Sequence, residues 1–153
     1  MYTIRTDYRD ETVIEKSRFI CTLKKVSSET EAQDFIKVVK KEFWDATHNC
    51  SAYIIDELAQ RSSDDGEPSG TAGLPMLEVL RKNQLSGVAA VVTRYFGGIK
   101  LGAGGLVRAY TGSVSKAVQS CGLARKILMG TFALSADAAD AGKLLNIIYQ
   151  QQL

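Results

Sequence analysis

The sequence lacks the features that mark membrane, disulfide-bonded and zinc-binding proteins. No apolar run approaches the roughly 20 residues that a membrane helix needs, so we expect no membrane partner. The first residues lack the apolar core of a secretion signal, which favours a cytoplasmic location. The three cysteines, Cys21, Cys50 and Cys121, are widely spaced and form no Cys-x-x-Cys pair. This pattern predicts reduced thiols and no metal site, and nothing in the sequence indicates a cofactor.

Acidic residues are missing from a long internal stretch. Residues 1–78 hold 10 Lys/Arg and 15 Asp/Glu, whereas residues 79–136 hold eight basic residues and no acid. The formal net charge of +2 hides this imbalance. A segregated positive stretch attracts phosphate if its side chains share one surface, but not if they scatter over several faces. We predict that they share an anion-binding surface.

Strand and helix patterns alternate along the first half of the chain and predict an α+β fold. Two short strand candidates lie within residues 13–23. Ser28 and Glu31 have the spacing of a capping box, and an amphipathic helix follows them. Residues 49–56 alternate again between apolar and polar positions, as in a strand.

The second half begins with a loop by composition over residues 61–73, followed by a short apolar segment at 76–80. The continuous apolar run Val88–Val92 predicts a central strand buried on both faces. A glycine cluster and a further helix follow this strand, and Gly122 fits a C-terminal cap.

The candidate anion site lies where the central strand runs into the glycine cluster. The first turn of a helix leaves N–H groups unpaired and carries partial positive charge, and glycines let a ligand approach that backbone. Lys100 lies in the turn, and Arg108 lies one helical turn beyond Gly104. The predicted anion- or nucleic-acid-binding residues are Arg94, Tyr95, Gly97, Gly98, Lys100, Gly102, Gly104, Gly105 and Arg108.

A competing interpretation is that these glycines only permit close packing of the helix on the sheet. The cluster has neither the Gly-Lys-Ser/Thr end of a Walker loop nor the spacing of a dinucleotide fingerprint. Tyr95 and Phe96 follow the strand directly, and alternation places them on opposite faces. If one of them is exposed, it can stack on a base.

An acidic loop contains Asp64, Asp65 and Glu67. Three carboxylates at this spacing could hold Mg²⁺ beside a phosphate, but the full calcium-loop pattern is absent. We favour a solvated turn, or carboxylates that pair with Lys100 or Arg108 when no ligand is present, and predict no metal.

His48 is the single histidine, and Cys50 lies two residues later on the same side of an extended chain. A nucleophilic Cys-His pair is therefore conceivable. No orienting third group or oxyanion motif accompanies the pair, so we assign no catalytic residue and predict that the two are not a catalytic pair.

Two long segments resemble the signature segments of the IMPACT/YigZ family. They are residues 64–73, DDGEPSGTAG, and residues 94–110, RYFGGIKLGAGGLVRAY. Residues 16–19 and 47–53 are also similar to family sequence, so the likeness covers roughly residues 10–125.

This resemblance implies a domain over residues 1–125 like the second domain of ribosomal protein S5. It also implies the start of a ferredoxin-like C-terminal domain over residues 126–153. For bacterial members it implies nucleic-acid binding. The eukaryotic relative regulates translation by competing for the activator of an amino-acid-starvation kinase, through an extra N-terminal domain for which this chain has no room. We therefore do not carry that partner over.

The C-terminal segment is predicted to contain one strand, residues 127–135, and one helix, residues 138–151. Leu144, Leu145 and Ile148 give the helix an apolar stripe that one strand cannot cover. We expect the stripe to pack on the first domain, to pair with a second copy as a homo-oligomer, or to need further sequence.

The sequence and the resemblance together predict a binding protein for RNA, the ribosome or another anionic partner. Such a protein could act as a translation-related regulator. Two alternatives remain open. One is a phosphate-substrate enzyme that uses the glycine cluster like a small-molecule kinase, with Asp65 or Glu67 as base or metal ligand. The other is a protein-binding regulator that uses the acidic loop.

Overall fold

The computed structural model describes residues 1–126, and the predicted C-terminal strand and helix lie outside these residues. The ordered elements are β1 (Tyr2–Ile4), β2 (Tyr8–Ile14), β3 (Ser17–Lys25), α1 (Glu29–Glu42), β4 (His48–Ile54), β5 (Gln60–Ser63), α2 (Gly73–Lys82), β6 (Val88–Tyr95), α3 (Gly102–Cys121) and β7 (Leu123–Arg125).

The main sheet has five strands in the order β2-β3-β6-β4-β5, and all neighbours are antiparallel. The central strand is β6, whose Val88, Val91 and Val92 are completely buried. The prediction of a central buried strand is confirmed, and so is the coarse α+β class. A run of small and β-branched apolar residues suits this position because both of its faces pack against other layers.

Helices cover both faces of the sheet. On one face, α2 and α3 enclose the larger core, in which Phe19 lies edge-on to Tyr110 with ring centroids 5.4 Å apart. On the other face, α1 packs Phe35 and Val39 against Tyr53 and its neighbours in a smaller core. Alternation along β6 therefore determines which core each side chain enters.

The predicted capping box at α1 is present. The Ser28 side chain accepts a hydrogen bond from the Glu31 backbone N–H at 3.1 Å. The Glu31 carboxylate reaches back one residue further than the usual pattern and accepts from the backbone N–H and hydroxyl of Ser27, at 3.2 and 2.7 Å.

Part of the segment predicted as a loop is ordered secondary structure. Residues 60–63 form edge strand β5, and the short apolar segment belongs to the 10-residue helix α2. The residue before this helix, Ala72, supplies no side-chain cap. Asp64 does so from a distance, since its Oδ1 accepts from the N–H groups of Ala72 and Gly73 at 3.1 and 2.9 Å.

A second, two-stranded sheet joins β1 to β7, pairing Tyr2 with Arg125 and Ile4 with Leu123. Ile4 is completely buried in the larger core, so this small sheet packs on the main body. None of the helices within residues 1–126 is both long enough and apolar enough to cross a bilayer.

Candidate functional site

Glu67 and Arg94 form a buried ion pair beneath the end of β6. Their relative exposures are 7% and 5%, and Arg94 Nη1 lies 2.9 and 3.1 Å from the two carboxylate oxygens. Alternation places Arg94 on the same face as Val92, towards the larger core, and its guanidinium carbon lies 5.8 Å from the centre of the Phe19 ring. The expectation that Arg94 shares an exposed surface with Lys100 and Arg108 is therefore wrong for Arg94.

Two further side chains complete this cluster, which we call the Glu67 network. The Tyr110 hydroxyl on α3 donates to Glu67 Oε2 at 2.6 Å, and burial, with the nearby Cys50 and Glu67, strongly raises the pKa of Tyr110. His48 Nε2 lies 3.3 Å from Glu67 Oε1, and its Nδ1 lies 2.8 Å from the Asp65 carbonyl oxygen. Glu67 thus joins β4, β6 and α3 through a single carboxylate.

The other two acids of the loop are also engaged by neighbouring groups. Asp64 accepts from Gly70 N–H at 2.9 Å in addition to the start of α2. Burial works against its ionisation, but these N–H donors hold the pKa of Asp64 below its usual value. Asp65 accepts from Asn49 N–H at 2.7 Å and lies 3.5 Å from Lys40 Nζ.

The partners of the acidic loop differ from those expected. The predicted pairing with Lys100 or Arg108 is wrong, because the ion pairs of this loop go to Arg94 and Lys40, and His48 lies against Glu67. Within residues 1–126, no group of three His, Cys, Asp or Glu side chains is arranged to hold a metal ion.

Cys50 lies beside the Glu67 network and is completely buried. Its thiol donates to the Asp64 carbonyl oxygen at 3.1 Å, while His48 points to Glu67 and Asp65 instead. Burial, and after it the neighbouring carboxylates, raises the pKa of Cys50 to about 12, although the nearby Tyr110 hydroxyl acts to lower it. A protonated thiol is a poor nucleophile, so this environment does not activate Cys50.

The glycine-rich loop after β6 packs against the turn between β2 and β3. A Cβ on Gly97 would collide with the backbone carbonyl of Lys16, and Gly97 N–H donates to Ser17 Oγ at 3.2 Å. Glu15 and Lys16 have φ values of +47° and +65°, as in the two-residue turns that suit a twisted hairpin. Gly97 is thus needed for the close approach of the loop backbone to the hairpin turn. This contact places Lys16 next to the glycine-rich loop.

The N-terminus of α3 is open and cationic. Leu101 at the cap position makes no side-chain hydrogen bond to the first turn, which also contains no acid. Gly102 has a φ of +71°, and Lys100 and Arg108 are exposed. A Cβ on Gly104 would lie 3.4 Å from Arg108 Nη1, so the guanidinium folds back over the first turn.

A surface hollow of about 420 Å³ lies between this helix end and the hairpin turn. It is lined by Ile14, Glu15, Lys100, Leu101, Gly105, Arg108 and Ala109. Lys16, Lys100 and Arg108, together with residues 97–105, are called here the basic end. Within residues 1–126, none of its three cations forms an ion pair.

Two other basic residues of the acid-free stretch, Arg81 and Lys116, have partners outside the basic end. Arg81 pairs with Glu78 at 2.5 Å, and Lys116 bonds to the Glu11 carbonyl oxygen at 3.0 Å and lies near Asp10. The prediction of one shared surface therefore holds for a part of the stretch only.

Tyr95 and Phe96 take opposite sides of the strand end, as alternation predicts. Tyr95 donates its hydroxyl to Asp45 Oδ1 at 2.8 Å, and the Arg18 guanidinium carbon lies 5.2 Å from the centre of its ring. Phe96 is 46% exposed, and the Arg94 guanidinium carbon lies 5.4 Å from its ring centre.

The structure also brings in residues that the sequence analysis left out of the site. Lys16 reaches the basic end through the hairpin turn, and His48 and Tyr110 complete the Glu67 network. No local motif announces these contacts. The alternation along β6 is the one sequence signal, because it places Arg94 on the same face as buried Val88, Ala90 and Val92.

Comparison with known proteins assigns the chain to a class. The model of the Impact N-terminal domain matches residues 15–118, which contain both the Glu67 network and the basic end. The chain belongs to the IMPACT family, as its signature segments predicted.

The chain is similar to two bacterial members in particular. It is 56% identical over 153 residues to the IMPACT family member YvyE of Bacillus subtilis, covering 99% of this chain and 70% of that protein. It is 39% identical over 152 residues to YigZ of Escherichia coli, covering 90% of this chain and 74% of that one.

Among solved structures, a crystal structure described as a hypothetical protein superimposes with a TM-score of 0.77 at 40% identity. The match covers 82% of this chain and 63% of that one, so the chain spans less than two thirds of that relative. The two-domain translational regulator Yih1 gives a TM-score of 0.46 at 25% identity, which is too low to transfer a function.

Proposed function

We propose that this protein binds RNA, free or on the ribosome, through the basic end and thereby acts in translation-related regulation. The observation that carries the proposal is the open first turn of α3 between exposed Lys100 and Arg108. Unpaired N–H groups, a helix dipole and two cations at one place favour a phosphate. The regulatory role is supported by membership of the IMPACT family, whose eukaryotic branch the sequence resemblance associates with translation.

The glycines support phosphate contact because they leave the backbone accessible. A Cβ built on Gly98 or Gly102 would meet no atom within 4 Å. Packing requires Gly97, as its contact with the hairpin turn shows, and a Cβ on Gly105 would lie 3.1 Å from Leu101 Cβ. Packing therefore does not account for the whole cluster.

The acidic loop favours binding over phosphate chemistry. A kinase-like mechanism would need a carboxylate that is free to hold a metal or take a proton. Glu67 is instead neutralised by Arg94, and Asp65 accepts from Asn49 N–H at 2.7 Å and lies 3.5 Å from Lys40 Nζ. Both carboxylates serve to hold the loop in place.

Two structural labels and the location belong to the same proposal. We propose that residues 1–125 correspond to the S5-like domain and that residues 126–153 begin a ferredoxin-like one. We also propose a cytosolic location, where the three buried and unpaired cysteines would stay reduced.

The experiment measures binding of a labelled RNA by fluorescence anisotropy over a series of salt concentrations. The affinity should fall steeply with salt, and Lys100→Ala and Arg108→Ala should each flatten the log–log slope by about 0.7. Lys25→Ala is the matched control, since Lys25 is exposed at the opposite end of β3. Binding that ignores salt, or that all three variants weaken equally, would contradict the proposal.

A further inference from the structure

The most exposed aromatic side chain of the described residues lies at the same end of the sheet as the basic end. Trp44, the only tryptophan in the sequence, follows α1 directly and is 80% exposed. Phe96 is 46% exposed and Ile99 is 38% exposed. Large apolar side chains in water cost free energy, so a group of them at one place indicates a partner.

Hydrogen bonds join the segments that carry these side chains. Next to Trp44, Asp45 accepts from the Tyr95 hydroxyl at 2.8 Å. Thr47 Oγ1 then accepts from Phe96 N–H at 3.0 Å. Because Gly97 in turn packs on Lys16, the chain segments around Trp44, Phe96 and Lys16 lie side by side at one end of the sheet.

The register of the sheet confirms this placement. Arg18 at the start of β3 and His48 at the start of β4 pair with Tyr95 and Arg94 at the end of β6. The segment of Trp44 leads into β4, and the basic end follows β6. Both therefore occupy the same end of the molecule.

The charges at this end favour an anionic occupant over a protein surface of mixed charge. Acids near Trp44 already have partners: Glu42 binds Arg9 at 2.6 Å, and Asp45 binds Tyr95. The cations of the basic end form no ion pair within residues 1–126, and Glu15 is the one carboxylate lining their hollow.

Phe96 is held in place while it remains exposed. Arg94 lies against the ring, and Arg94 is itself fixed by two contacts to Glu67. A ring oriented in advance loses little conformational freedom when a base stacks on it. The Glu67 network thus supports the aromatic side chain from within.

We propose that this protein binds single-stranded RNA by stacking unpaired bases on Trp44 and Phe96, while Lys16, Lys100 and Arg108 contact the phosphates. The inference rests on the proposed function and makes it specific for unpaired bases. A duplex carries the same phosphates but keeps its base faces inside its own stack, so it cannot use the aromatic side chains.

The test uses the fluorescence of Trp44, which reports on the proposed surface without a label. An oligouridylate of about 12 nucleotides, within the usual range of single-strand sites, should quench the emission on binding. An A-form RNA duplex of equal length should bind at least about fivefold more weakly and quench less.

Variants are measured with labelled oligouridylate in the full chain. Trp44→Leu and Phe96→Leu keep an apolar side chain but lose the aromatic face, and each should weaken single-strand binding by about fivefold or more. Trp44→Phe should retain most of the affinity. Tyr2→Ala is the matched control, because Tyr2 is an exposed aromatic residue beside residues 84–86, before the start of β6.

The outcomes separate this inference from the proposed function. If oligouridylate and duplex bind equally, and Lys100→Ala weakens both while Trp44→Leu and Phe96→Leu weaken neither, stacking is refuted and anion binding stands. If neither RNA binds at low salt, both proposals fail together.

Discussion

The Glu67 network and the basic end share the signature segment 94–110 but have opposite environments. Glu67 is buried and hydrogen-bonded to buried Arg94 and Tyr110, whereas Lys100 and Arg108 remain in water. In sequence, Arg94 and Lys100 are only six residues apart and look equivalent. The difference teaches that charge in a motif has two uses here, namely holding the fold together and meeting a partner.

The largest effect should come from breaking the Glu67 network. Glu67→Gln leaves Arg94 buried without an anionic partner, which costs about 3–5 kcal/mol in the free energy of unfolding. Urea denaturation measures this loss, with exposed Glu57→Gln as the control. A loss below about 1 kcal/mol would mean that the carboxylate does not hold β6 and α3 together.

A smaller effect should come from Gly97, where the glycine-rich loop packs against the β2–β3 hairpin turn. Gly97→Ala places a methyl group against the Lys16 carbonyl, and overpacking of this kind costs about 1–3 kcal/mol. RNA affinity should fall as well, because the hairpin turn that carries Lys16 must move. As a control, Gly112→Ala in the interior of α3 meets no neighbour within 4 Å and should instead stabilise by about 0.5–1 kcal/mol.

The acidic loop adds a pH-dependent contribution of about 1 kcal/mol through Asp64. Its pKa is lowered in the folded state, so the ionised form stabilises the fold. That stability is fully present above the unfolded pKa of about 3.9 and is lost as the pH falls through the folded value.

Asp64→Asn tests this contribution by urea denaturation at two pH values. It should destabilise the protein near neutral pH, and the difference from the unsubstituted protein should shrink as the pH falls below the unfolded pKa of about 3.9. An equal difference at both pH values would show that the charge of Asp64 is not what caps α2.

The smallest effect on stability should come from the basic end. Arg108→Ala removes an exposed side chain and should change the free energy of unfolding by less than about 0.5 kcal/mol. The same substitution should reduce RNA affinity, so Arg108→Ala should lower binding with little loss of stability, whereas Glu67→Gln lowers stability. A large loss of stability would show that Arg108 holds the fold together, as Glu67 and Arg94 do.

The sequence predicted those elements whose signal lies within the element itself. The apolar run of β6 and the capping box of α1 are both local, and both are confirmed. The start of α2 could not be predicted in the same way, because its cap is Asp64, eight residues before Ala72. A cap supplied across a loop leaves no pattern at the helix itself.

The site was predicted in part for the same reason. Glycines before a helix indicate an open N-terminus from sequence alone, and the structure has one after Leu101. The burial of Arg94 depends on Glu67, which lies 27 residues away in the chain. Such a pair is set by tertiary packing, so charge counting over the acid-free stretch assigned Arg94 to the wrong environment.

The pairing of β1 with β7 has a consequence for synthesis on the ribosome. Tyr2 meets Arg125, so the first strand has no partner in this sheet until more than a hundred residues have been made. The β2–β3 hairpin closes early, but β3 also waits for β6, as Arg18 pairs with Tyr95. Contacts of such long sequence separation slow folding and leave strand edges open meanwhile. Nascent chains halted before β6 should therefore be open to proteases and chaperones, and protection should rise once β6 has emerged.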